Sequence, residues 1–443
     1  MAVGAICGEA FFIPVVRTSK IGAEPSTRYR RSLILVNGRR FNHVEPDLKS
    51  RGSLDRILHR RDTNTWIPDN RSDDMSIVAH TRRDFLIRAS RSMALGLPSV
   101  MGLPGLAFST SQTWIPGENA APLPYGAAVR ADALASDPAY RTAVLANCQI
   151  IVAEGEMKWG DIHPARGEYR FEKADALIDF ARQNNIQLRG HTLAWYGAMP
   201  AWTSEIDNRA EAERELIDHI ETVMSRYLGA IPSWDVVNEP LVDWPEDESS
   251  LRPSIWTRRM GIDYLPIALR TAASIDPDTQ LVINEYDIEF AGARFAARRK
   301  ALIRLLRSLR DRDVPLHAVG LQAHLFADRS IDRDGLQALL AEIVALKLDI
   351  LITELDVIDA ALPGGVGERD ERVAGFAAQF LNAVCEVVRP GAILTWGLSD
   401  RYSWVPTYFK RRDGMPNRPL PLDSEFKRKP LFDVIDEYRR KTA

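Results

Sequence analysis

Eight short apolar segments, rich in β-branched residues, recur along the chain between longer stretches of helical period. The segments are Tyr125–Val129, Gln149–Ala153, Gln187–Thr192, Ser233–Val237, Gln280–Asn284, Ala318–Gln322, Asp349–Glu354 and Gly391–Thr395. Each interval has room for a helix and two loops, which is what a crossover between parallel strands needs. Helical periodicity occupies Ala174–Gln183, Ala210–Tyr227, Pro266–Ser274, Ala291–Arg310, Gly335–Leu346 and Glu371–Val388.

The strands are nearly continuous apolar runs rather than alternating ones, as expected when both faces of a sheet are covered. Eight such units favour a closed (β/α)8 barrel, the TIM barrel of the α/β class, over an open doubly wound sheet. No G-x-G-x-x-G motif follows the first strand, which also disfavours the open sheet. The sequence therefore predicts one catalytic barrel domain over residues 120–443.

Composition and charge exclude several other classes of protein. The net charge of -3 gives no basic excess for nucleic acid. Three cysteines are too few for a disulfide framework, and the absence of C-x-x-C and H-E-x-x-H motifs predicts neither a metal nor a cofactor. Cys148 and Cys385 either pair in an oxidising compartment or act as small buried hydrophobes, and the sequence leaves both possibilities open.

Residues 75–110 have the organisation of an export signal. The segment Thr81–Leu86 (TRRDFL) resembles the twin-arginine signal, and the uncharged stretch Ala94–Phe108 follows it. That stretch is too short and too rich in Gly and Pro for a stable membrane anchor. We expect the twin-arginine machinery of a bacterium to export the chain to the periplasm or beyond; the alternative is a surface amphipathic helix.

An export signal belongs at the start of a chain, yet residues 1–74 precede this one. They contain scattered arginines and no sustained helical or strand period. The hypothesis is that Met75 is the true initiator, and that residues 1–74 are either an over-extended reading frame or a disordered extension.

Polar and aromatic side chains follow most of the predicted barrel strands. At strands two to four they are Glu154, Glu156, Lys158, His191, Trp195, Asn238 and Glu239. At strands five to eight they are Asn284, Glu285, Gln322, His324, Glu354, Asp356, Trp396, Asp400 and Trp404. Each lies at the end of a strand or in the loop that follows it. Any one of them could be a helix cap, a surface ion pair or core filling. Together they lie on the rim where barrel enzymes carry their active sites.

Two of these residues, Glu239 and Glu354, would project into the barrel mouth from different sides. Cleavage of an acetal needs one carboxylic acid to protonate the leaving oxygen and one carboxylate beside the sugar carbon. Indole rings offer flat faces to pyranose C–H groups, while Asn, Gln, His and Lys donate to hydroxyls. The pattern indicates glycoside hydrolysis.

Seven ordered motifs resemble glycoside hydrolase family 10, the endo-β-1,4-xylanases, over about residues 120–440. The motifs are Trp234–Pro240, Gly320–Leu325, Ile352–Val357, Thr395–Trp404, Glu156–Trp159, Arg189–Leu193 and Pro200–Trp202. The resemblance implies a retaining mechanism with Glu239 as general acid/base and Glu354 as nucleophile, their carboxyl groups about 5–5.5 Å apart. It implies that Glu239 is protonated and Glu354 ionised at rest.

The resemblance also assigns supporting residues. His324 orients Glu354, and Asp356 fixes the tautomer of His324. Asn238 meets the sugar 2-hydroxyl, and Trp195 belongs to the same substrate-binding set. The residues matching those that hold the xylose units on the non-reducing side are Lys158, His191, Gln322, Trp396 and Trp404.

Two positions depart from the family pattern. Gly155 stands where Asn is usual, and Tyr196 stands where His is usual after Trp195. Each change removes or alters a sugar hydrogen bond, so a decorated xylan, a related β-1,4-glycan or short xylo-oligosaccharides remain alternative substrates. A non-catalytic xylan-binding barrel is a further alternative, which the presence of both Glu239 and Glu354 disfavours. We expect a monomer.

Overall fold

The computed structural model describes residues 31–36, 39–44, 122–245 and 250–441. Two strands, Arg31–Val36 and Arg39–Val44, pair antiparallel within the predicted extension over residues 1–74. The rest of that extension lies outside the described residues, and so does the whole predicted export signal over residues 75–110.

Eight parallel strands of the described chain close into a barrel. They are β1 Tyr125–Val129, β2 Ile150–Ala153, β3 Gln187–Ala194, β4 Ser233–Asn238, β5 Gln280–Glu285, β6 Ala318–Leu321, β7 Asp349–Ile358 and β8 Ile393–Thr395. Each strand pairs in parallel with the next, and β8 pairs with β1 to complete the ring. A short strand, His324–Phe326, extends the line of β6 beside β7. The predicted (β/α)8 barrel is confirmed.

Helices connect the strands and cover the outside of the barrel. The longer ones are Pro138–Asn147, Glu172–Gln183, Arg209–Arg226, Tyr264–Ile275, Ala293–Asp311, Arg333–Ala345, Val366–Cys385 and Pro430–Arg440. The shorter ones are Ala131–Ser136, Trp159–Ile162, Ile255–Met260 and Val405–Tyr408, with 3-10 turns at Ala201–Glu205, Gly261–Asp263 and Asp400–Tyr402. None of the helices in the described part is both long and apolar enough to cross a membrane.

Side-chain caps set several helix starts. Asn208 accepts from the backbone N–H of Glu211 at 2.9 Å, and Asp332 accepts from Gly335 at 3.0 Å. Asp137 accepts from two backbone N–H groups and is followed by Pro138. Because proline disfavours a helical residue before it, the helical segment after β1 is divided in two. That division leaves two short pieces, which explains why periodicity alone did not locate them.

Apolar side chains fill the lower part of the barrel interior. Large residues such as Ile150, Val282 and Leu351 alternate with small ones such as Ala128 and Ala318. This packing matches the layered interior of barrels with eight strands, which is solid rather than hollow. The polar side chains are therefore concentrated above this layer, at the carboxyl ends of the strands.

The last helix joins the end of the chain to its first barrel strand. The backbone N–H of Leu123 donates to the Arg439 carbonyl, and the Arg439 guanidinium donates to the Leu123 carbonyl and to Gln149 Oε1. The Tyr125 hydroxyl and Thr395 Oγ1 lie 2.9 Å apart across the seam between β1 and β8. Hydrogen bonds between distant parts of the sequence thus close the ring.

Both cysteines in the described residues are free thiols. Cys148 is buried in the core, and Cys385 is partly buried in the helix before β8. Burial raises the pKa of Cys148 to about 12 and that of Cys385 to about 11. Neither is therefore a reactive thiolate at neutral pH.

A stack of aromatic and imidazole rings lies beneath the loop after β2. The His219 ring packs on Trp159 with centroids 3.7 Å apart, and His163 stacks at 5.5 Å from the same indole. Both His219 nitrogens and His163 Nδ1 are buried with no hydrogen-bond partner in the described structure. Burial lowers the pKa of His219 well below its usual value, and burial with the nearby Arg166 charge lowers that of His163 to about 4.

This stack predicts acid sensitivity. The unfolded chain protonates both imidazoles below about pH 6.5, whereas the folded chain resists their protonation. Stability should therefore fall with pH by about 1.4 kcal/mol per pH unit for each such proton. His219→Phe keeps the ring contact and removes one titrating group, so its urea midpoint should exceed that of the unaltered protein at pH 5, by a margin that shrinks at pH 8. An equal margin at both pH values would contradict this account.

Candidate active site

Glu239 lies directly after β4 at the mouth of the barrel and is 5% exposed. Its Oε2 accepts from the Trp195 indole N–H at 3.0 Å, and its Oε1 accepts from Gln322 Nε2 at 3.0 Å and Asn238 Nδ2 at 3.2 Å. Its backbone N–H donates to the Asn284 carbonyl at 2.9 Å. Three side-chain donors therefore fix the direction of this carboxyl group.

The backbone of Glu239 is in the left-handed region, with φ of 52°. A residue with a Cβ atom is uncommon there, and such strain persists where the surrounding structure holds the backbone in place. Here the backbone bond to β5 and the three donors to the carboxyl group supply that restraint. The conformation turns the side chain into the mouth at the point where β4 ends.

Glu354 lies within β7 and is 4% exposed. Its Oε1 accepts from Asn284 Nδ2 at 2.6 Å, and its Oε2 lies 3.2 Å from His324 Nε2. Burial alone would raise the pKa of this carboxyl group. The hydrogen bond from His324 and the charges of His191 and His324 outweigh burial and hold the pKa below its usual value. Glu354 is therefore an ionised carboxylate with one face toward the cleft.

His324 connects Glu354 to a second carboxylate. Its Nδ1 lies 3.0 Å from Asp356 Oδ1, and Asp356 Oδ2 accepts from the Trp404 indole N–H at 2.7 Å. Burial would lower the pKa of His324, but the charges and hydrogen bonds of Asp356 and Glu354 raise it well above its usual value. Both ring nitrogens of the protonated His324 can then donate, one to Asp356 and one to Glu354. Asp356 therefore orients the imidazole ring and also stabilises its positive charge.

Asn284, at the end of β5, joins the two glutamates. Its Nδ2 donates both to Glu354 Oε1 and to Asn238 Oδ1, the latter at 2.9 Å, while Asn238 donates to Glu239. The Thr353 hydroxyl donates to Asn284 Oδ1 at 2.7 Å, which fixes the orientation of the amide. Asn284 was among the polar residues predicted at the strand ends, but the sequence assigned it no role of its own.

The Asn284 side chain occupies space left free by Gly320. A Cβ atom at Gly320 would lie 2.2 Å from Asn284 Oδ1 and 2.9 Å from the Thr353 methyl group. The amide could not remain in place beside such an atom. The glycine in β6 is therefore required by the packing of the amide that binds Glu354.

A buried ion pair supports the site from below. Arg189 of β3 donates through two nitrogens to Asp235 of β4, and Asp235 Oδ2 lies 2.9 Å from His191 Nδ1. Burial would raise the pKa of Asp235, but Arg189 and His191 lower it. Asp235 was also missed by sequence reasoning, although two ionisable residues inside apolar strands are a usable signal for such a pair.

Four of the predicted substrate-binding residues meet in one part of the mouth. Lys158 Nζ lies 5.0 Å from the Trp195 ring centroid and 5.3 Å from that of Trp396. The His191 ring lies 5.1 Å from Trp396. These residues come from β2, β3 and the segment after β8. They form an arc of the rim on one side of the pair Glu239 and Glu354.

The two departures from the family pattern have different surroundings. At Gly155, an added Cβ would meet only Asp161 Oδ2, at 3.9 Å, so the space beside this residue is open. The Tyr196 ring lies edge-on to Trp195 with centroids 5.4 Å apart, and the Arg252 guanidinium lies 4.5 Å from its centroid. The first position has room for a side chain, whereas the second carries a ring that contacts Trp195 and Arg252.

The arrangement can split an acetal. An ionised carboxylate held by two donors can attack a sugar carbon, and a second carboxyl group across the mouth can exchange a proton with the departing oxygen. The indoles and the Asn, Gln, His and Lys side chains around the pair can bind a sugar chain. The geometry indicates a glycosidase.

Comparison with known proteins gives one consistent result. The profile of "Glycosyl hydrolase family 10" matches residues 118–438. "Endo-1,4-beta-xylanase B" of Thermotoga neapolitana is 34% identical over 289 residues, which is 65% of this chain and 80% of the relative. "Endo-1,4-beta-xylanase A" of Phanerodontia chrysosporium is 33% identical, covering 68% of this chain and 70% of the relative. The crystal structure of xylanase 10B from Thermotoga petrophila RKU-1 in complex with xylobiose has a TM-score of 0.65 and 30% identity, covering 72% and 94% of the two chains.

The hydrogen bond between His324 and Glu354 predicts a measurable titration. His324→Gln removes the charge that favours the carboxylate, so the pKa of Glu354 should rise. The measurement is a pH titration of the Glu354 carboxyl signal by carbon-13 NMR. Trp404→Phe removes a hydrogen bond to Asp356 but keeps the one between His324 and Glu354, so it should change the Glu354 pKa much less. Equal shifts in both variants would contradict the assignment.

Proposed function

Since the chain belongs to glycosyl hydrolase family 10, we propose that it is a retaining endo-β-1,4-xylanase that hydrolyses internal bonds of xylan by double displacement. The names of the relatives and the xylobiose bound in a similar structure support this substrate. The observation that carries the proposal is the pair of carboxyl groups on β4 and β7. One is held as a carboxylate by His324 and Asn284, and the other is fixed by donors at the mouth.

In the first step Glu354 attacks the anomeric carbon and forms a bond to it. The bond from that carbon to the leaving oxygen breaks, and Glu239 gives its proton to that oxygen. The positive charge of His324 stabilises the attacking carboxylate without protonating it. The hydrogen bonds of Trp195, Gln322 and Asn238 hold the acid in position while its charge changes.

In the second step water hydrolyses the glycosyl-enzyme. Glu239, now ionised, takes a proton from the water as its oxygen bonds to the anomeric carbon, and the bond to Glu354 breaks. Two inversions at one carbon restore the original configuration. Glu239 is then protonated again and Glu354 is again a carboxylate, so the cycle closes.

The open space at Gly155 bears on substrate preference. An Asn side chain there would fill part of the cleft and donate to a sugar hydroxyl, and one such bond contributes about 0.5–1.5 kcal/mol. Without the Asn side chain, an unsubstituted sugar loses this hydrogen bond, and a sugar that carries a substituent has more room. Decorated xylans and xylo-oligosaccharides are therefore included among the substrates to be tested.

The proposal predicts which glycans the protein cleaves. It should release reducing sugars from linear xylo-oligosaccharides, arabinoxylan and glucuronoxylan, and far less from cellulose, measured as initial rates at matched sugar concentration. Glu354→Ala should lower turnover of natural substrate by several orders of magnitude, because no covalent intermediate can form. Binding of xylan without release of sugar by the unaltered protein would support the non-catalytic alternative.

Azide gives the matched control for the acid/base residue. In Glu239→Ala, azide should restore turnover of an activated aryl xyloside, because the leaving group needs no acid and the small anion replaces activated water. The same addition should give the retained azide product only when Glu354 is present. If azide restored turnover in neither Glu239→Ala nor Glu354→Ala, the assignments of acid/base and nucleophile would both be contradicted.

We also propose that the chain is exported through the twin-arginine route to the periplasm or beyond. The support is the segment Thr81–Leu86 followed by the uncharged stretch Ala94–Phe108. With Arg82→Lys and Arg83→Lys together, the chain should accumulate at precursor length in the cytoplasm, measured by fractionation and immunoblotting. Arg88→Lys with Arg91→Lys is the matched control and should leave export intact. Equal export of both double variants would contradict the proposal.

A further inference from the structure

We propose that Trp244 forms a sugar-binding subsite on the leaving-group side of the cleft, for a xylose unit beyond the point of cleavage. The inference rests on the proposed function, which fixes the ligand as a β-1,4-xylose chain. It adds a binding site remote from the reacting bond, formed by the loop that leaves β4.

The barrel topology places Trp244 on the side opposite three of the predicted glycone residues, Lys158, His191 and Trp396. Glu239 on β4 and Glu354 on β7 divide the ring of strands into two arcs. Lys158, His191 and Trp396 lie on the arc that contains β8, β1, β2 and β3. Trp244 follows Glu239 in sequence and contacts residues that follow β5, so it lies on the other arc. A chain that crosses both glutamates must continue toward this side.

The Trp244 side chain is unusually exposed. Its exposed fraction is 66%, the highest among the exposed large hydrophobic residues of the described structure, followed by Leu228 at 58%. Tryptophan normally buries most of its surface in a core or an interface. An indole face left open beside a catalytic cleft provides a flat apolar surface, and the C–H face of a pyranose is the matching surface of the substrate.

Hydrogen bonds hold the Trp244 loop in place. The Arg294 guanidinium lies 5.8 Å from the Trp244 ring centroid, and its Nε donates to the Asp243 carbonyl at 2.9 Å. Asp243 Oδ1 accepts from Arg252 at 2.8 Å and also from the Tyr286 hydroxyl. The indole is thus mounted on a braced segment, as a preorganised binding surface requires.

The same contacts connect Trp244 with the catalytic acid. Tyr286 follows β5 and binds Asp243, the neighbour of Trp244 in sequence. The backbone N–H of Leu241 donates to Glu285 Oε2 at 3.1 Å, which ties the start of the loop to the end of β5. Burial and the charge of Glu239 both raise the pKa of Tyr286, consistent with its closeness to the acid. These contacts therefore tie the segment before Trp244 to the end of β5, close to Glu239.

The charges on this side favour a neutral sugar over a uronic acid. The arginines here each have a carboxylate partner, since Arg252 binds Asp243, Arg294 binds Asp287 and Arg298 binds Glu285. Paired in this way, they offer little net attraction to an anion. An unsubstituted xylose stacked on the indole is the occupant that this surface fits best.

The test compares a long substrate with a short one. In Trp244→Ala, the ratio of kcat/KM on xylohexaose to kcat/KM on an aryl β-xylobioside should fall about two- to tenfold, chiefly through KM, because only the hexaose can reach the indole. End-labelled xylohexaose should also be cut less often at bonds that leave several units on the leaving-group side. Trp244→Tyr keeps an aromatic face and should recover part of the ratio.

Leu228→Ala is the matched control. Leu228 is the next most exposed of the large hydrophobic residues in the described structure. It follows the helix before β4, at the opposite end of the barrel, so its substitution should leave the ratio unchanged. An unchanged ratio in Trp244→Ala, or an equal change in Leu228→Ala, would overturn the subsite. Failure of the unaltered protein to cleave any xylo-oligosaccharide would instead overturn the proposed function.

Discussion

The amide of Asn284 links the two carboxyl groups proposed to carry out catalysis. It donates to Glu354 and to Asn238, and Asn238 donates to Glu239. The two glutamates come from strands on different sides of the ring, so no local backbone geometry could relate them. A short chain of hydrogen bonds through Asn284 of β5 fixes their relative position. It also gives Glu354 an amide donor, which carries no titratable proton.

The barrel holds a neutralised buried ion pair close to a positively charged histidine. Below the site, Arg189 and Asp235 neutralise each other in a fully buried pair, and the imidazole of His191 lies on top of them. Beside it, His324 lies between two carboxylates and remains cationic. Removing one member of such a buried set leaves an uncompensated charge, which is more damaging than replacing the whole set. The polar residues at the mouth therefore act as a unit.

Most of the fold was predictable from sequence because the signal is repeated eight times. The predicted segment Gln280–Asn284 and the observed β5 differ by a single residue at one end. Position along the strands predicted that Glu239, directly after β4, and Glu354, within β7, lie at the barrel mouth. The role of Asn284, and Asp235 altogether, were missed because their hydrogen-bond partners are far away in sequence. The left-handed backbone of Glu239 depends likewise on contacts from β5 that no local pattern encodes.

The seam between β1 and β8 has a consequence for biosynthesis. Tyr125 and Thr395 face each other across 270 positions of sequence, and Arg439 adds the final bonds to Leu123. A nascent chain emerging from a ribosome must leave the first strand with one open edge until β8 has been synthesised. Exposed edges invite pairing with other molecules, and distant contacts slow folding. A partial product lacking the final helix would thus be a vulnerable species rather than a smaller version of the enzyme.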